Sequence, residues 1–492
     1  MITNLSEELS TLVTENGWTD RPALLTAERS WTHGEVHELA NRAGSVLAGR
    51  GIGPGKRVLI VLPDDVGWVV SFLACARVGG TAVPVNPDLP ADDHEFMAGD
   101  CDAVLVITTD ELAERFGEFD VLKVDRLLEE AVSAKVSEPV STEEPLYFHY
   151  TSGTTGTPKG VVHRQGNLAI YHRTIGRDCL RMSTEDVTLS VSKLYFTYGF
   201  CNSFVFPLYS GSSVVLTTER LTPPAAAELV ARHRVTRLYA VPSWYARMVL
   251  DTEAGAFATV TAAVAGGERL TPELAEEAAE FLGAPVLNQL GATELGCAAT
   301  ANSLDFDVPG TIGRAVPEFS VRVTDENGDE VEDGTEGDLR VRGPVMMAGY
   351  LNRPDATAEA LADGWLLTKD RVVRNADGTY THVRRADDME MVGGIKMSPL
   401  EVEDLLRTHD DVRDVAVAAV PDVSGATKLR AFVVPGTGGL SPDGLEAELI
   451  ALARQRLAAF KVPRSVHLVE TLPRTASGKL RRYSLRQRTV GP

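Results

Sequence analysis

Tyr150-Thr-Ser-Gly-Thr-Thr-Gly-Thr-Pro-Lys-Gly160 is the stretch on which the reading of this chain turns. An apolar run, Pro145-Leu-Tyr-Phe148, leads into it, and Val161-Val-His163 follows. Two strand-like runs therefore flank a loop of small residues, a geometry in which backbone N–H groups converge on an anion. Five hydroxyls (Thr151, Ser152, Thr154, Thr155, Thr157) add donors, and Lys159 adds positive charge. Phosphate is the natural guest. A mobile Ser/Thr/Gly linker would not sit between two strand-like runs with Pro-Lys-Gly closing it. GxxxxGK[ST] is absent, so the loop is not of the Walker A kind.

Outward from the loop, short β-branched runs alternate with helical patterns. Arg57–Pro63, Ala103–Thr108, Ser213–Thr217, Arg237–Val241 and Ala262–Ala265 read as strands. Thr222–His233 and Thr271–Phe281 read as helices. This alternation predicts an α/β fold with parallel-rich sheets covered by helices. From about Ile312 the texture becomes antiparallel β, as in Val321-Arg-Val-Thr324 and Gly337-Asp-Leu-Arg-Val-Arg342 around an Asp/Gly turn. A last unit carries helix Pro399–Thr408, strands Val412–Val420 and Lys428–Val434, helix Pro442–Ala459 and strand Ser465–Val469. That is a small α+β domain. The expected division is 1–386, a large N-terminal domain with a β-rich subdomain, and 387–492.

The length of 492 residues exceeds what one core ordinarily fills. The apolar share of 44% and charged share of 24% suit a globular protein with ample core. The N-terminus lacks a basic region followed by an apolar run, so no secretory signal is read there. The most apolar stretch, Val69–Val78, contains Arg77 and is far shorter than a membrane span. Five scattered cysteines form no CxxC pair, which points to reduced thiols in a cytoplasm. A net charge of −21 argues against nucleic acid or an anionic membrane as partner. The charge is uneven: Asp387–Pro492 holds 15 basic and 14 acidic residues, and after Glu470 only basic ones occur. Arg474, Lys479, Arg481, Arg482, Arg486 and Arg488 form either a solubilising tail or a surface that meets an anion.

Four further motifs follow the loop in order: Gly291-Ala-Thr-Glu294, Gly364-Trp-Leu-Leu-Thr-Lys-Asp370, Arg385-Ala-Asp-Asp388 and Pro473-Arg-Thr-Ala-Ser-Gly-Lys479. With the loop, they resemble the phosphate loop, YGxTE, GWxxTGD, GRxDD and PRTxSGK motifs of the ANL superfamily of adenylate-forming enzymes. That superfamily contains acyl-CoA synthetases, peptide-synthetase adenylation domains and firefly luciferases. The resemblance spans essentially the whole chain and implies ATP and Mg²⁺ as co-reactants. Thr151, Ser152, Gly153, Thr154, Thr155, Gly156 and Lys159 would hold phosphates. Gly267, Glu268, Gly291 and Ala292 would line the nucleotide, with Thr293 near the α-phosphate. Glu294 would be the Mg²⁺ ligand, since this ion takes hard oxygens and few protein carboxylates. Asp370 would accept the ribose hydroxyls, with Arg385 a second nucleotide contact. Lys479 would stabilise charge in the adenylation step, carried on a small domain that rotates about Asp387. Gly393, Gly394 and Lys396 would face the entering thiol. The chain departs from the motifs at Leu290 (usually Tyr), Lys369 and Arg384 (usually Gly) and Met391 (usually Lys).

Ser192-Lys-Leu-Tyr-Phe-Thr-Tyr-Gly-Phe-Cys-Asn202 covers the acid-pocket motif and resembles the KLFFAYG stretch of benzoate–CoA ligases. Peptide-synthetase domains place an Asp here to pair an α-ammonium; this segment has none, and an unpaired buried ammonium is expensive. Thr197, Tyr198, Gly199, Phe200, Ala265, Gly266, Gly291, Cys297 and Ala298 would enclose a flat ring, with Tyr198 stacking on it. Tyr195 and Phe196 read as core aromatics. The expected reaction is ATP-dependent activation of an aromatic acid as acyl-AMP, then thioester formation with coenzyme A. The phosphopantetheine thiol of an acyl carrier protein is the alternative acceptor, and a non-catalytic nucleotide-binding protein the alternative class.

Overall fold

The computed structural model describes residues 2–129, 136–152, 158–386, 390–392, 395–421, 427–436, 441–474 and 480–486. The α/β class expected from the sequence is the class observed. One sheet runs Arg314–Ala315, Ala298–Ala301, Val286–Gly291, Ala262–Ala265, Arg237–Ala240, Val187–Ser190, Ser213–Val215, Pro22–Leu25, Ser30–Thr32. Its centre is parallel, with Leu238 opposite Ala263 and Val264 opposite Leu287. Its edges turn antiparallel. A second sheet runs Gly349–Tyr350, Pro158–Arg164, Pro145–Ser152, Thr81–Pro84, Arg57–Val61, Leu105–Thr108, Val121–Lys123. Here the two strands that flank the quoted loop pair antiparallel, Thr151 opposite Lys159, so the loop joins a hairpin.

Local chemistry sets the element ends. Thr222 and Thr271, read as helical, are N-caps: their side chains accept from Ala225 N and Leu274 N. Pro223 and Pro272 occupy the first helical positions, where no N–H is needed. The apolar stretch near Val69 is the helix Val66–Arg77, buried along its whole length. Arg77 is accommodated inside by hydrogen bonds from Nε to Asn41 Oδ1 (3.0 Å) and from Nη1 to Ser6 Oγ (3.2 Å). Among the described residues no helix is long and apolar enough to cross a membrane. Trp68 and Phe72 of this helix pack on Phe200 and Phe204, with ring centroids 4.9–6.1 Å apart. That aromatic cluster anchors the segment that carries Tyr198. The β-rich part is also as expected, Ser320–Thr324 pairing antiparallel with Glu336–Arg342.

The chain divides into two compact units, Met1–Thr368 with Val373–Thr381, and Lys369–Val372 with His382–Pro492. The second unit thus takes in part of the strands Trp365–Arg374 and Tyr380–Arg385, upstream of the 386/387 boundary expected from the sequence. It contains helix Pro399–Arg407, strands Val412–Pro421, Thr427–Pro435 and Ser465–Leu468, and helix Pro442–Arg456. Val402, Leu406, Val415, Val433 and Leu449 form its core. Three of the basic residues after Glu470 are paired within this unit. Arg482 forks onto the buried Glu403 at 2.7 and 3.0 Å, Arg486 reaches Glu390 at 2.7 Å, and Arg474 reaches Asp414 at 2.8 Å. Those three charges are satisfied locally, which a count of basic residues could not reveal.

Candidate functional site

The C-terminal ends of parallel strands Ala262–Ala265 and Val286–Gly291, together with the helical segment from Thr197, build one corner of the first unit. Crevices at such strand ends are where open α/β sheets bind ligands. Tyr198 lies across this corner. Its hydroxyl donates to Val264 O (2.9 Å), and its Cε2 stands 3.3 Å from where a Cβ on Gly266 would be. Gly199 admits no side chain at all, because a Cβ would come within 2.2–2.4 Å of the Lys193 and Ser192 carbonyls. Gly291 pairs with Ala298 across a bulge, and a Cβ there would meet Cys297 O at 2.6 Å. Tyr198, Ala265, Gly266, Gly291, Cys297 and Ala298 thus fall around one corner. Thr197 joins it to the second sheet through a 3.2 Å hydrogen bond with His149 Nδ1. Tyr195 is buried and packs edge-on against the half-buried Phe196, with ring centroids 4.8 Å apart. All five cysteines are buried and reduced. Burial raises the Cys201 thiol well above its ordinary range, and the adjoining Cys297 thiol reinforces the shift.

Thr293–Leu295 forms a tight turn immediately after Gly291. Three contacts hold it. Tyr350 donates to Glu294 Oε1 at 2.7 Å, Met347 N donates to Glu294 O at 2.7 Å, and His163 Nε2 donates to Thr293 O at 2.7 Å. Because a carbonyl can only accept, Nε2 must carry the proton. Burial holds His163 down to about 4, so the ring is neutral and Nδ1 is an acceptor. Tyr171 fills that role as donor (3.1 Å) and itself accepts from Asn167 Nδ2 (3.2 Å). Gly296, in the left-handed region at φ +69°, lets the Tyr171 hydroxyl approach, since a Cβ would lie 1.8 Å from it.

Lys159 lies with its ammonium 5.3 Å from the centre of the Tyr350 ring. Tyr350 therefore stands between the end of the phosphate hairpin and Glu294. Glu268 accepts from Ser243 N (2.9 Å), at the first turn of helix Pro242–Asp251. Gly267 beside it is left-handed. In the second unit, Asp370 is 5% exposed and accepts from His382 Nε2 at 3.1 Å and Arg385 Nη1 at 3.3 and 3.4 Å. Ala292 follows Gly291 in extended conformation. Gly153, Thr154, Thr155, Gly156, Asp387, Gly393, Gly394 and Lys479 lie outside the described residues, as do the side chains of Ser152, Met391 and Lys396.

Sequence reasoning missed Tyr350 and His163. His163 closes the quoted stretch, and its inward direction follows from the two-residue period it shares with the buried Val161. Tyr350 gave no such signal, because its place depends on a two-residue strand, Gly349–Tyr350, pairing with Val161 and Val162.

The comparisons agree with this geometry. The AMP-binding enzyme family model matches residues 13–351, and the AMP-binding enzyme C-terminal domain model matches residues 401–479. The p-hydroxybenzoic acid–AMP ligase of Mycobacterium tuberculosis (strain ATCC 25618 / H37Rv) is 40% identical over 99% of this chain and 69% of its own. The benzoate CoA ligase from Burkholderia xenovorans LB400 superposes with a TM-score of 0.90 at 30% identity, covering 99% of this chain and 100% of that one. The o-succinylbenzoate coenzyme A synthetase from Bacillus subtilis, in complex with ATP and magnesium ion, gives 0.87 at 25% identity, covering 99% and 100%. Fold, motif order and sequence likeness converge: the chain belongs to the AMP-binding enzyme family of adenylate-forming ligases.

Proposed function

We propose that this protein activates a benzoate-like aromatic acid with ATP and transfers the aroyl group to the thiol of coenzyme A. The observation that carries the reading is the corner at Tyr198. A flat wall, three glycines and no acidic residue between Ser192 and Asn202 suit a ring and leave nothing to pair an ammonium. In the first half-reaction a carboxylate oxygen attacks the α-phosphorus of ATP and pyrophosphate leaves. Thr151, Ser152, the loop 153–156 and Lys159 would bind the phosphates, and Thr293 would donate near the α-phosphate. Gly267, Glu268, Gly291 and Ala292 would line the base. Asp370, buried and held by His382 and Arg385, would accept the ribose hydroxyls.

The donor set fits Mg²⁺. Glu294 has one oxygen tied to Tyr350, and no group of three or more His, Cys, Asp or Glu stands ready among the described residues. An ion that keeps waters and takes mostly phosphate oxygens needs one such carboxylate. When bound it neutralises charge on the phosphates. Lys479 would supply the matching charge at the reacting centre, Asp387 would be the hinge between half-reactions, and Gly393, Gly394 and Lys396 would meet the thiol. In the second half-reaction the thiol sulfur attacks the acyl carbon and AMP leaves.

One observation favours a second acceptor, the phosphopantetheine of a carrier protein: the 40% identical relative is named for acid–AMP ligation, with no coenzyme A in its name. The test is ATP–pyrophosphate exchange with benzoates against the proteinogenic amino acids, followed by thiol addition and mass measurement. Benzoates should exceed every amino acid at least tenfold, and Lys479→Ala should lose ~10²–10³ in rate while still binding ATP. An amino acid as best substrate overturns the reading. A carrier acylated while millimolar coenzyme A yields nothing overturns its coenzyme A half.

A further inference from the structure

Asp100 ends the helix Ala91–Asp100, where a carboxylate faces the negative end of the helix dipole. Its place works against its own helix, and its side chain is only 7% exposed, so the reason for it lies elsewhere. Oδ2 accepts from the Tyr150 hydroxyl at 2.9 Å, and Oδ1 accepts from Arg353 Nη2 at 2.9 Å. The Asp100 carbonyl also accepts from Asn352 Nδ2 at 3.0 Å. One residue thus holds two segments that are distant from each other in sequence.

Those segments are the two that must keep step at the nucleotide. Tyr150 stands opposite Gly160 in the hairpin that carries the phosphate loop. Its ring lies over that glycine: a Cβ there would be 3.3 Å from Tyr150 Cζ and 3.4 Å from Leu351 Cβ. Leu351 N donates to Gly160 O at 2.8 Å. On the other side, Arg353 precedes the helix Pro354–Ala360, and Thr357 of that helix accepts from Tyr350 N at 2.9 Å. Tyr350 in turn holds Glu294. The hairpin and the strand Gly349–Tyr350 pair over two residues only, Val161 opposite Tyr350 and Val162 opposite Gly349. So short a ladder supplies few hydrogen bonds, and those made by an ionised carboxylate are the stronger kind. The geometry points to Asp100 as a positioning residue: through Tyr150 and Arg353 it sets the distance between the phosphate loop and the turn at Glu294. It touches no substrate. Its effect falls on ATP, whose phosphates meet both parts on the adenylation reading above, and not on the aromatic acid.

The test is calorimetric titration of the full chain with ATP, beside pyrophosphate exchange, in wild type, Tyr150→Phe, Arg353→Met and the double variant. Phenylalanine keeps the ring over Gly160 and removes the proton given to Asp100. Methionine keeps an apolar stem and removes the guanidinium. Each single variant should raise the Kd and KM for ATP about tenfold while the KM for the acid changes less than about twofold, the pattern of lost ground-state binding. Both variants act through one carboxylate, so the double variant should be little worse than either alone, whereas independent contacts would multiply. If Arg353→Met fails to fold, Asp100→Asn takes its place, since it drops the charge and still accepts from Tyr150. A merely structural ion pair would lower the melting temperature and leave both ATP constants unchanged, and that result overturns the role of Asp100. Losses that multiply in the double variant, or an equal rise in the KM for the acid, overturn it too. Wild type that neither binds ATP nor exchanges pyrophosphate sinks the adenylation reading itself, and this inference with it.

Discussion

Lys369 shows how one residue can be legible in sequence and its cost not. Its position is one where the family motif has glycine, and that departure is visible in the letters Thr-Lys-Asp. The backbone supplies the reason: Lys369 has φ +66°, the left-handed region. A side chain there costs ~1–2 kcal/mol, while glycine loses ~0.5–1 kcal/mol through its looser unfolded chain. The first effect wins. For a chain of 492 residues a net of ~1 kcal/mol is ~1 °C, so Lys369→Gly should raise the melting temperature by about that much. Calorimetry that finds an equal or lower midpoint would show that the neighbouring strands relieve the strain. The same contrast holds for Leu290, read as an aliphatic in place of an aromatic. It is buried, so what the substitution changes is core as well as nucleotide contact.

At the scale of the element, the turn Thr293–Leu295 is the part that sequence could name but not support. Strands, helices and the strand-like runs either side of the phosphate loop were readable because each obeys a local rule of period, although the capping threonines Thr222 and Thr271 read as helical. The clamp on the turn joins Pro158–Arg164, Gly349–Tyr350 and Val286–Gly291, which are distant in sequence, and so left no local mark. His163 acts here as a positioning residue. His163→Phe keeps the ring but removes the proton given to Thr293 O, and leaves the Tyr171 hydroxyl without its acceptor. The exchange kcat should fall ~10–100-fold, with the KM for acid changed little, as expected when a positioning contact is lost. His163→Gln, which keeps an N–H donor, should recover part of the loss. Equal kcat in the phenylalanine variant would show that Tyr350 and Met347 fix the turn alone.

Across the whole molecule, buried histidines set the response to acid. In the first unit burial holds His33, His163 and His172 at about 4 and His37 and His149 at about 3. Unfolded, each returns to ~6.5. With the folded value the lower one, their stabilising contribution is complete above ~6.5 and is lost as the pH falls toward 4. Each can remove up to ~1.4 kcal/mol per pH unit in that window. Asp64, pushed up to about 7 by burial, Asp307, pushed up to about 6, and Asp65, also raised, work in the other direction: their contribution is present below ~3.8 and fades as the pH rises through the folded values. The five histidines outweigh these three carboxyls, so the melting temperature should drop between pH 7 and 5. A flat or rising profile would mean that water already reaches the rings. The interior sulfurs carry a different consequence. An acyl adenylate is a mixed anhydride, and a thiolate beside it would capture the acyl group for the protein itself. Cys201 is kept as a thiol by its burial, and a thiol is a far poorer nucleophile than its anion. Cys201 is thereby protected from acylation, and the activated acid can wait for a thiol that arrives from outside.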